Sequence, residues 1–164
     1  VLTMKIAVYP GSFDPITCGH LDIIRRSSVM FDEVIIAVLN NSAKTPLFSA
    51  EERVRLIEKS IADLPNCRAV YFSGLLVDFV QQQGATAVIK GLRAISDFEY
   101  EFQMALLNKK LNPNIETLFM CTNANYSYIS SSIVKEIAGL GGDFSDLLPK
   151  EIYEDVKQKI KKGR

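Results

Sequence analysis

Between Tyr9 and His20 the chain reads Tyr-Pro-Gly-Ser-Phe-Asp-Pro-Ile-Thr-Cys-Gly-His, and this stretch holds the protein's one histidine. Ile6-Ala7-Val8 ahead of it has the composition of a buried strand, and Leu21-Asp22-Ile23-Ile24-Arg25-Arg26 behind it begins a helical pattern. A strand-to-helix turn presents backbone N–H groups at a helix N-terminus, where unpaired donors and the helix dipole favour an anion. The chemistry expected here is therefore phosphate binding, with His20 as the one titratable donor. The turn is not a Walker A loop, since no Gly-Lys-Ser/Thr follows at the required spacing, and it lacks the Gly-x-Gly-x-x-Gly dinucleotide fingerprint.

Three further groups could complete an anion site. Lys44 sits in the polar loop after the run Glu-Val-Ile-Ile-Ala-Val-Leu; Lys90 ends the apolar run Ala87-Val88-Ile89, with Arg93 close behind; Ser130, Ser131 and Ser132 stand at a helix start. Arginine offers a planar fork to phosphate oxygens and lysine a point charge, while serines at a helix start offer hydroxyls beside free N–H groups. Taken singly, each has a plainer explanation: a helix cap for His20, a turn for Gly11-Ser12-Phe13-Asp14-Pro15, surface charge for the cations, an N-cap for the serines. Asp97, Glu99 and Glu101 alternate along a helix, so they are expected to diverge and not to form an acid–base pair.

The elements that must position these groups alternate. Strands are expected at residues 5–9, 33–39, 68–72, 86–90 and 115–121, and helices at 19–30, 49–63, 76–83, 97–111, 130–139 and 149–161. Ser49-Ala50-Glu51-Glu52 reads as a capping box, with Val54, Ile57 and Ile61 facing inward on the helix it opens. Strands alternating with helices give an α/β fold: an open sheet of five parallel strands, doubly wound, with helices on both faces. In such sheets ligands bind beyond the carboxyl ends of the strands, at the topological switch point. The four polar loops, carrying His20, Lys44, Lys90 with Arg93, and Ser130 to Ser132, all fall at that end. Their convergence says more than any one motif.

Composition narrows the partners. Formal net charge is zero, so no global field draws the protein to nucleic acid or to a membrane surface, and phosphate chemistry must rest on locally placed cations. The basic end (Lys157, Lys159, Lys161, Lys162, Arg164) lacks the interleaved aromatics of a nucleic-acid platform. No apolar run approaches the roughly 18 residues of a membrane span, and the start lacks a signal-peptide pattern. Val1, Leu2 and Thr3 ahead of Met4 read as an upstream start or an added remnant, leaving residues 4–164 as one domain. Cys18, Cys67 and Cys121 are odd in number and lack metal-ligand spacing, which reads as reduced thiols in a cytoplasmic protein.

The stretch ending Thr17-Cys18-Gly19-His20 resembles the first motif of the nucleotidylyltransferase superfamily, His-x-Gly-His, with threonine at the first position. Ile129-Ser130-Ser131-Ser132 followed by Lys135 resembles its second motif. Thr-x-Gly-His together with Gly91-Leu92-Arg93-Ala94 and Asp97-Phe98-Glu99-Tyr100-Glu101 is similar to the bacterial phosphopantetheine adenylyltransferase family, in register over most of the chain. The resemblance implies a Rossmann-like fold and transfer of AMP from ATP to 4′-phosphopantetheine, giving dephospho-coenzyme A and pyrophosphate. It implies Mg²⁺ carried mainly by the ATP phosphates, with no protein metal site, and a homohexamer. By the same resemblance His20, Ser12, Lys44 and Arg93 are catalytic. Ser12, Phe13, His20, Gly91, Leu92, Arg93, Glu101, Tyr126, Ser127, Tyr128, Ile129, Ser130, Ser131 and Ser132 bind ATP. Ser12, Lys44, Leu76 and Lys90 bind phosphopantetheine. Lys90 stands where the family commonly has arginine, Ser12 where threonine is commoner, and Tyr126 where tryptophan often occurs. Other superfamily members, acting on nicotinate mononucleotide or glycerol phosphate, share both motifs and differ in the acceptor loops. A non-catalytic ATP-binding module would need no second anion site, so Lys44 and Lys90 weigh against it.

Overall fold

The computed structural model describes residues 2–40, 45–93 and 95–163. Five strands, β1 (Ile6–Gly11), β2 (Glu33–Leu39), β3 (Cys67–Phe72), β4 (Ala87–Leu92) and β5 (Glu116–Cys121), form one sheet in the order β3-β2-β1-β4-β5. All four pairings are parallel. β1 lies at the centre with β2 and β4 beside it, and the apolar runs of β1 and β2 follow from both of their faces being covered.

The period-2 alternation of the strands divides the core into two layers. Ala7, Val34, Ile36 and Val38 face Ile23 and Ile24 of α1 (Cys18–Met30) and Leu56 and Ile57 of α2 (Ala50–Ser60). The same layer takes in Val134 of α5 (Ser131–Gly139) and Val156 of α6 (Tyr153–Lys162). Val8, Ile35, Ala37 and Val88 point the other way, toward Val77 and Val80 of α3 (Leu76–Gln82). α4 (Ile95–Leu111) packs against α3, β4 and β5. Tyr100, Phe102, Leu106, Leu107 and Leu111 of α4 are exposed, a run of large apolar side chains on the outside of the chain.

The expected order of elements holds throughout, and the differences lie at ends. α2 has the capping box read from Ser49 and Glu52, with the Ser49 N–H donating to Glu52 Oε2 at 2.8 Å and the Glu52 N–H to Ser49 Oγ at 3.1 Å. The last helix begins at Tyr153 and not at Pro149, because Pro149 is extended (φ −53°, ψ 133°) and leads into a separate 3₁₀ turn at Lys150–Ile152. No helix among the described residues is long and apolar enough to cross a membrane.

Candidate active site

The order β3-β2-β1-β4-β5 reverses direction between β1 and β4, and there the backbone opens. These strands pair at Ala7 with Ala87 and at Val8 with Val88. Beyond that point Tyr9, Pro10 and Gly11 continue on β2, while Ile89, Lys90, Gly91 and Leu92 continue on β5. The strands part into a crevice of about 310 Å³ at their carboxyl ends. Its walls bring together Ser12, Phe13 and His20 from the first loop, Lys90, Gly91 and Arg93 from β4, Glu101 from α4, and Tyr126, Ile129, Ser130, Ser131 and Ser132 from the loop into α5.

Local conformation explains the turn. Phe13 occupies the left-handed region (φ 48°), uncommon for a residue with a Cβ. This places its ring edge-on to both Tyr9, at 5.3 Å, and His20, at 4.9 Å between centroids. A Cβ at residue 11 would stand 3.1 Å from that ring, so any side chain there would have to push the ring aside by a few tenths of an ångström. α1 then starts with Thr17 as N-cap and His20 at N3. The Thr17 N–H donates to His20 Nδ1 at 3.0 Å, and the His20 N–H approaches Thr17 Oγ1 at 3.4 Å. The imidazole is thus both a helix cap and a wall of the crevice.

That contact sets the protonation state. A backbone N–H can only donate, so His20 Nδ1 is an acceptor and the neutral ring carries its proton on Nε2. Burial chiefly, with the charges of Arg93 and Lys90 adding to it, lowers the His20 pKa to about 4. His20 is therefore an uncharged Nε2–H donor near neutral pH. Burial also raises the Tyr9 pKa above its usual range, so its phenol stays protonated.

Two helix N-termini end at the crevice. Cys18-Gly19-His20 and Ser131-Ser132-Ile133 contain no acidic residue that would offset the dipole. Ser130 caps α5 by accepting from the Ile133 N–H at 3.1 Å, and Ser131 Oγ donates to the Pro15 carbonyl at 2.7 Å, joining this helix to the first loop. Opposite them, Lys90 Nζ lies 3.2 Å from Glu101 Oε2 and Arg93 Nε 3.3 Å from Asp97 Oδ2; Arg93 Nη1 also donates to the Ile129 carbonyl at 3.2 Å. The expectation that these acidic residues diverge is corrected for one pair: Asp97 and Glu101, four apart, share the face lining the crevice, while Glu99 is exposed.

Other expected positions differ. Lys44 lies outside the described residues. Leu76 packs at the edge of the core layer formed with α3 and is absent from the crevice walls. Leu92, Ser127 and Tyr128 also stand off the walls; Tyr128 is 63% exposed, and Ser127 Oγ is turned back to the Ala124 carbonyl at 3.0 Å.

Two ionisable residues behind the crevice were missed by sequence reasoning. Arg53 of α2 is only 3% exposed and donates to the carbonyls of Ser12 (2.8 Å), Leu39 (3.2 Å) and Ser49 (3.3 Å). Asp14, 5% exposed, accepts from the N–H groups of Leu47 and Phe48, both at 2.9 Å, and from Lys135 Nζ at 3.0 Å. Asp14 could have been noticed beside Ser12 in the first loop. Nothing local marks Arg53, because a basic residue within a helical pattern reads as solvent-facing.

Cationic side chains, helix N-termini and a neutral donor at the switch point of a parallel sheet define a protein that handles nucleotide phosphates. Residues 8–137 match the family model described as cytidylyltransferase-like. Among curated relatives, phosphopantetheine adenylyltransferase of Clostridium tetani is 60% identical over 95% of this chain and 98% of its own. That of Caldanaerobacter subterraneus is 55% identical over 98% and 100%. The chain belongs to the phosphopantetheine adenylyltransferases, nucleotidyltransferase enzymes within the cytidylyltransferase-like family. Solved structures agree on the fold. A putative nicotinate-nucleotide adenylyltransferase from Vibrio parahaemolyticus superposes with TM-score 0.72 at 17% identity, covering 96% of this chain and 95% of its own. A bifunctional NMN adenylyltransferase/ADP ribose pyrophosphatase from Francisella tularensis gives 0.69 at 15%, covering 98% and 49%.

Proposed function

We propose that the crevice between β1 and β4 joins ATP to 4′-phosphopantetheine, releasing pyrophosphate and forming dephospho-coenzyme A. The observation that carries this reading is the meeting of two acid-free helix N-termini with Lys90, Arg93 and an uncharged His20 donor around one opening. A phosphate monoester is largely dianionic near neutral pH, its second pKa being about 6, so it is a ready nucleophile and requires no base. One of its oxygens bonds to the α-phosphorus of ATP as the bond from that phosphorus to the bridging oxygen breaks, and pyrophosphate leaves with the electron pair. Positioning and stabilisation of charge on the transferring group then carry the catalysis. His20 Nε2–H, Arg93 and the N–H groups at the start of α5 serve the nucleotide phosphates. Lys90 and Lys44 serve the acceptor phosphate in this reading, and Ser12 serves both substrates.

Mg²⁺ fits this site as a passenger of the triphosphate. Asp97 and Glu101 are engaged by Arg93 and Lys90, and no cluster of three or more metal-binding side chains occurs among the described residues. The ion would neutralise phosphate charge while the chain's own residues orient the phosphates. Residues 4–164 act as one catalytic domain in this reading. The exposed apolar face of α4 supports self-association, with a hexamer as the expected assembly, since a helix apolar on its outside calls for a covering partner. Free thiols at Cys18, Cys67 and Cys121 accord with a cytoplasmic setting.

The test is an acceptor screen. Pyrophosphate release is followed with ATP or CTP against 4′-phosphopantetheine, nicotinate mononucleotide and glycerol phosphate. Release confined to ATP with 4′-phosphopantetheine is expected; a preference for another pair would replace the reading, and ATP binding without release for every acceptor would make the protein a binding module.

A further inference from the structure

Behind Ser12 lies a second chamber of about 240 Å³ that shares Ser12, Ser131 and Ser132 as a wall with the main crevice and is lined on its far side by Asp14, Arg53 and Lys135. Asp14 uses both carboxylate oxygens there. Oδ1 accepts from the Phe48 N–H, while Oδ2 accepts from the Leu47 N–H and from Lys135 Nζ. One buried side chain of the first loop thereby holds the far end of the loop that follows β2 and, through Lys135, the second turn of α5. The loop after β2 lines the same chamber with Thr45 and Pro46, and the first turn of α5 carries Ser131 and Ser132. In the reading proposed above, the side of Ser12 toward the loop after β2 takes the acceptor and the start of α5 takes the nucleotide.

We infer that Asp14 is a positioning residue that sets the spacing between the two substrate halves, with Lys135 as its arm to the nucleotide side. The inference rests on the adenylyl transfer proposed above. A buried carboxylate is retained only when its partners compensate for lost hydration. Here those partners are two backbone amides and one ammonium group, drawn from two separate segments of the chain. In-line attack depends on the separation of acceptor oxygen and phosphorus, and a misplacement of about 1 Å costs on the order of 100-fold in rate. A carboxylate that joins the two halves controls that separation without touching either substrate.

The test uses steady-state kinetics with each substrate varied in turn, on wild type and the variants Asp14→Asn, Lys135→Met, Lys135→Arg and the double variant Asp14→Asn/Lys135→Met. Product formation by wild type in the same assay establishes the parent reading separately. Asp14→Asn is expected to raise KM for both substrates and to lower kcat by about 10- to 100-fold, the scale for groups that orient contact residues. Lys135→Met is expected to raise KM for ATP, and Lys135→Arg to stay near wild type. The double variant is expected to be little worse than Asp14→Asn alone, because one linkage is cut twice. A merely structural role lowers the folded fraction, which reduces apparent kcat and leaves KM alone, so unchanged KM values would overturn the inference. Multiplying losses in the double variant would also overturn it, since Lys135 would then act independently of Asp14. Should Asp14→Asn fail to fold, unchanged KM for ATP in Lys135→Met would still overturn it.

Discussion

Thr17 and His20 hold each other across the first turn of α1: the Thr17 N–H donates to His20 Nδ1 at 3.0 Å while the His20 N–H approaches Thr17 Oγ1 at 3.4 Å. The motif Thr-x-Gly-His is thus a capping box whose N3 residue is an imidazole. Capping fixes the ring and its tautomer, and the crevice receives the remaining Nε2–H. The cap and the proposed donor are therefore one side chain.

Replacing His20 by alanine is therefore expected to lower kcat by at least ~100-fold, the scale for removing one donor that stabilises transition-state charge. Circular dichroism should show a folded protein, with about 1 kcal/mol lost from the cap. Near-normal kcat in a folded variant would remove His20 from the chemistry.

The same residue gives a pH prediction. In the unfolded chain histidine titrates near ~6.5, and in the native protein His20 titrates near about 4. Between those values the unfolded chain holds more protons, so this contribution to stability is fully present above about pH 6.5 and is lost as pH falls toward 4. Because the chain has one histidine, its ring resonances report the site directly in ligand-free protein. Nε2–H should be the neutral tautomer, with a titration midpoint far below the ordinary histidine value. A midpoint near the ordinary value would refute the burial argument.

Lys90 ends β4 inside the crevice, 3.2 Å from Glu101. Lys90→Ala should raise KM for the phosphorylated acceptor by about 10- to 100-fold, the range for losing one charge-assisted hydrogen bond. Lys90→Arg should restore most of it. Equal KM in Lys90→Ala and wild type would place the acceptor phosphate elsewhere.

Arg53 makes a prediction about stability. Its guanidinium serves the carbonyls of Ser12, Leu39 and Ser49, and Arg53→Met removes that donor from behind Ser12, leaving the Ser49 carbonyl only the residue 53 backbone N–H. A loss of about 2–4 kcal/mol in urea unfolding is expected, following the cost of unmet buried acceptors; a loss below about 1 kcal/mol would mean that water replaces the guanidinium without penalty.

The covering proposed for α4 is checked by light scattering. Native protein should have several times the mass of one chain, and Leu107→Glu, which puts a charge on the exposed apolar face, should lower it. A monomeric native protein would contradict the assembly.

Sequence reading reached the fold because its signals are local and repeated. The apolar runs at β1, β2 and β4 mark strands covered on both faces, and the Ser49–Glu52 box marks a helix start. The crevice was legible in part, through the placing of His20, Lys90, Arg93 and Ser130 to Ser132 at strand ends. What escaped depends on tertiary placement. Helical periodicity selects Val54, Ile57 and Ile61 for the inside of α2 but gives no reason to bury Arg53, whose partners come from residues 12, 39 and 49. Alternation along the chain makes Asp97, Glu99 and Glu101 look divergent, whereas the four-residue helical spacing aligns Asp97 with Glu101 on the crevice face. Asp14 looked like a turn former, and only the folded chain brings Lys135 to it.

The most direct measurement follows two labels through one turnover mixture of protein, Mg²⁺, 4′-phosphopantetheine and ATP labelled at either the α- or the γ-phosphorus. Attack at the α-phosphorus, the step proposed for the site of Ser12, His20, Lys90 and Arg93, puts the α-label into dephospho-coenzyme A and the γ-label into pyrophosphate. Appearance of the γ-label on the pantetheine product, or of the α-label as free AMP with no coupled product, would contradict adenylyl transfer.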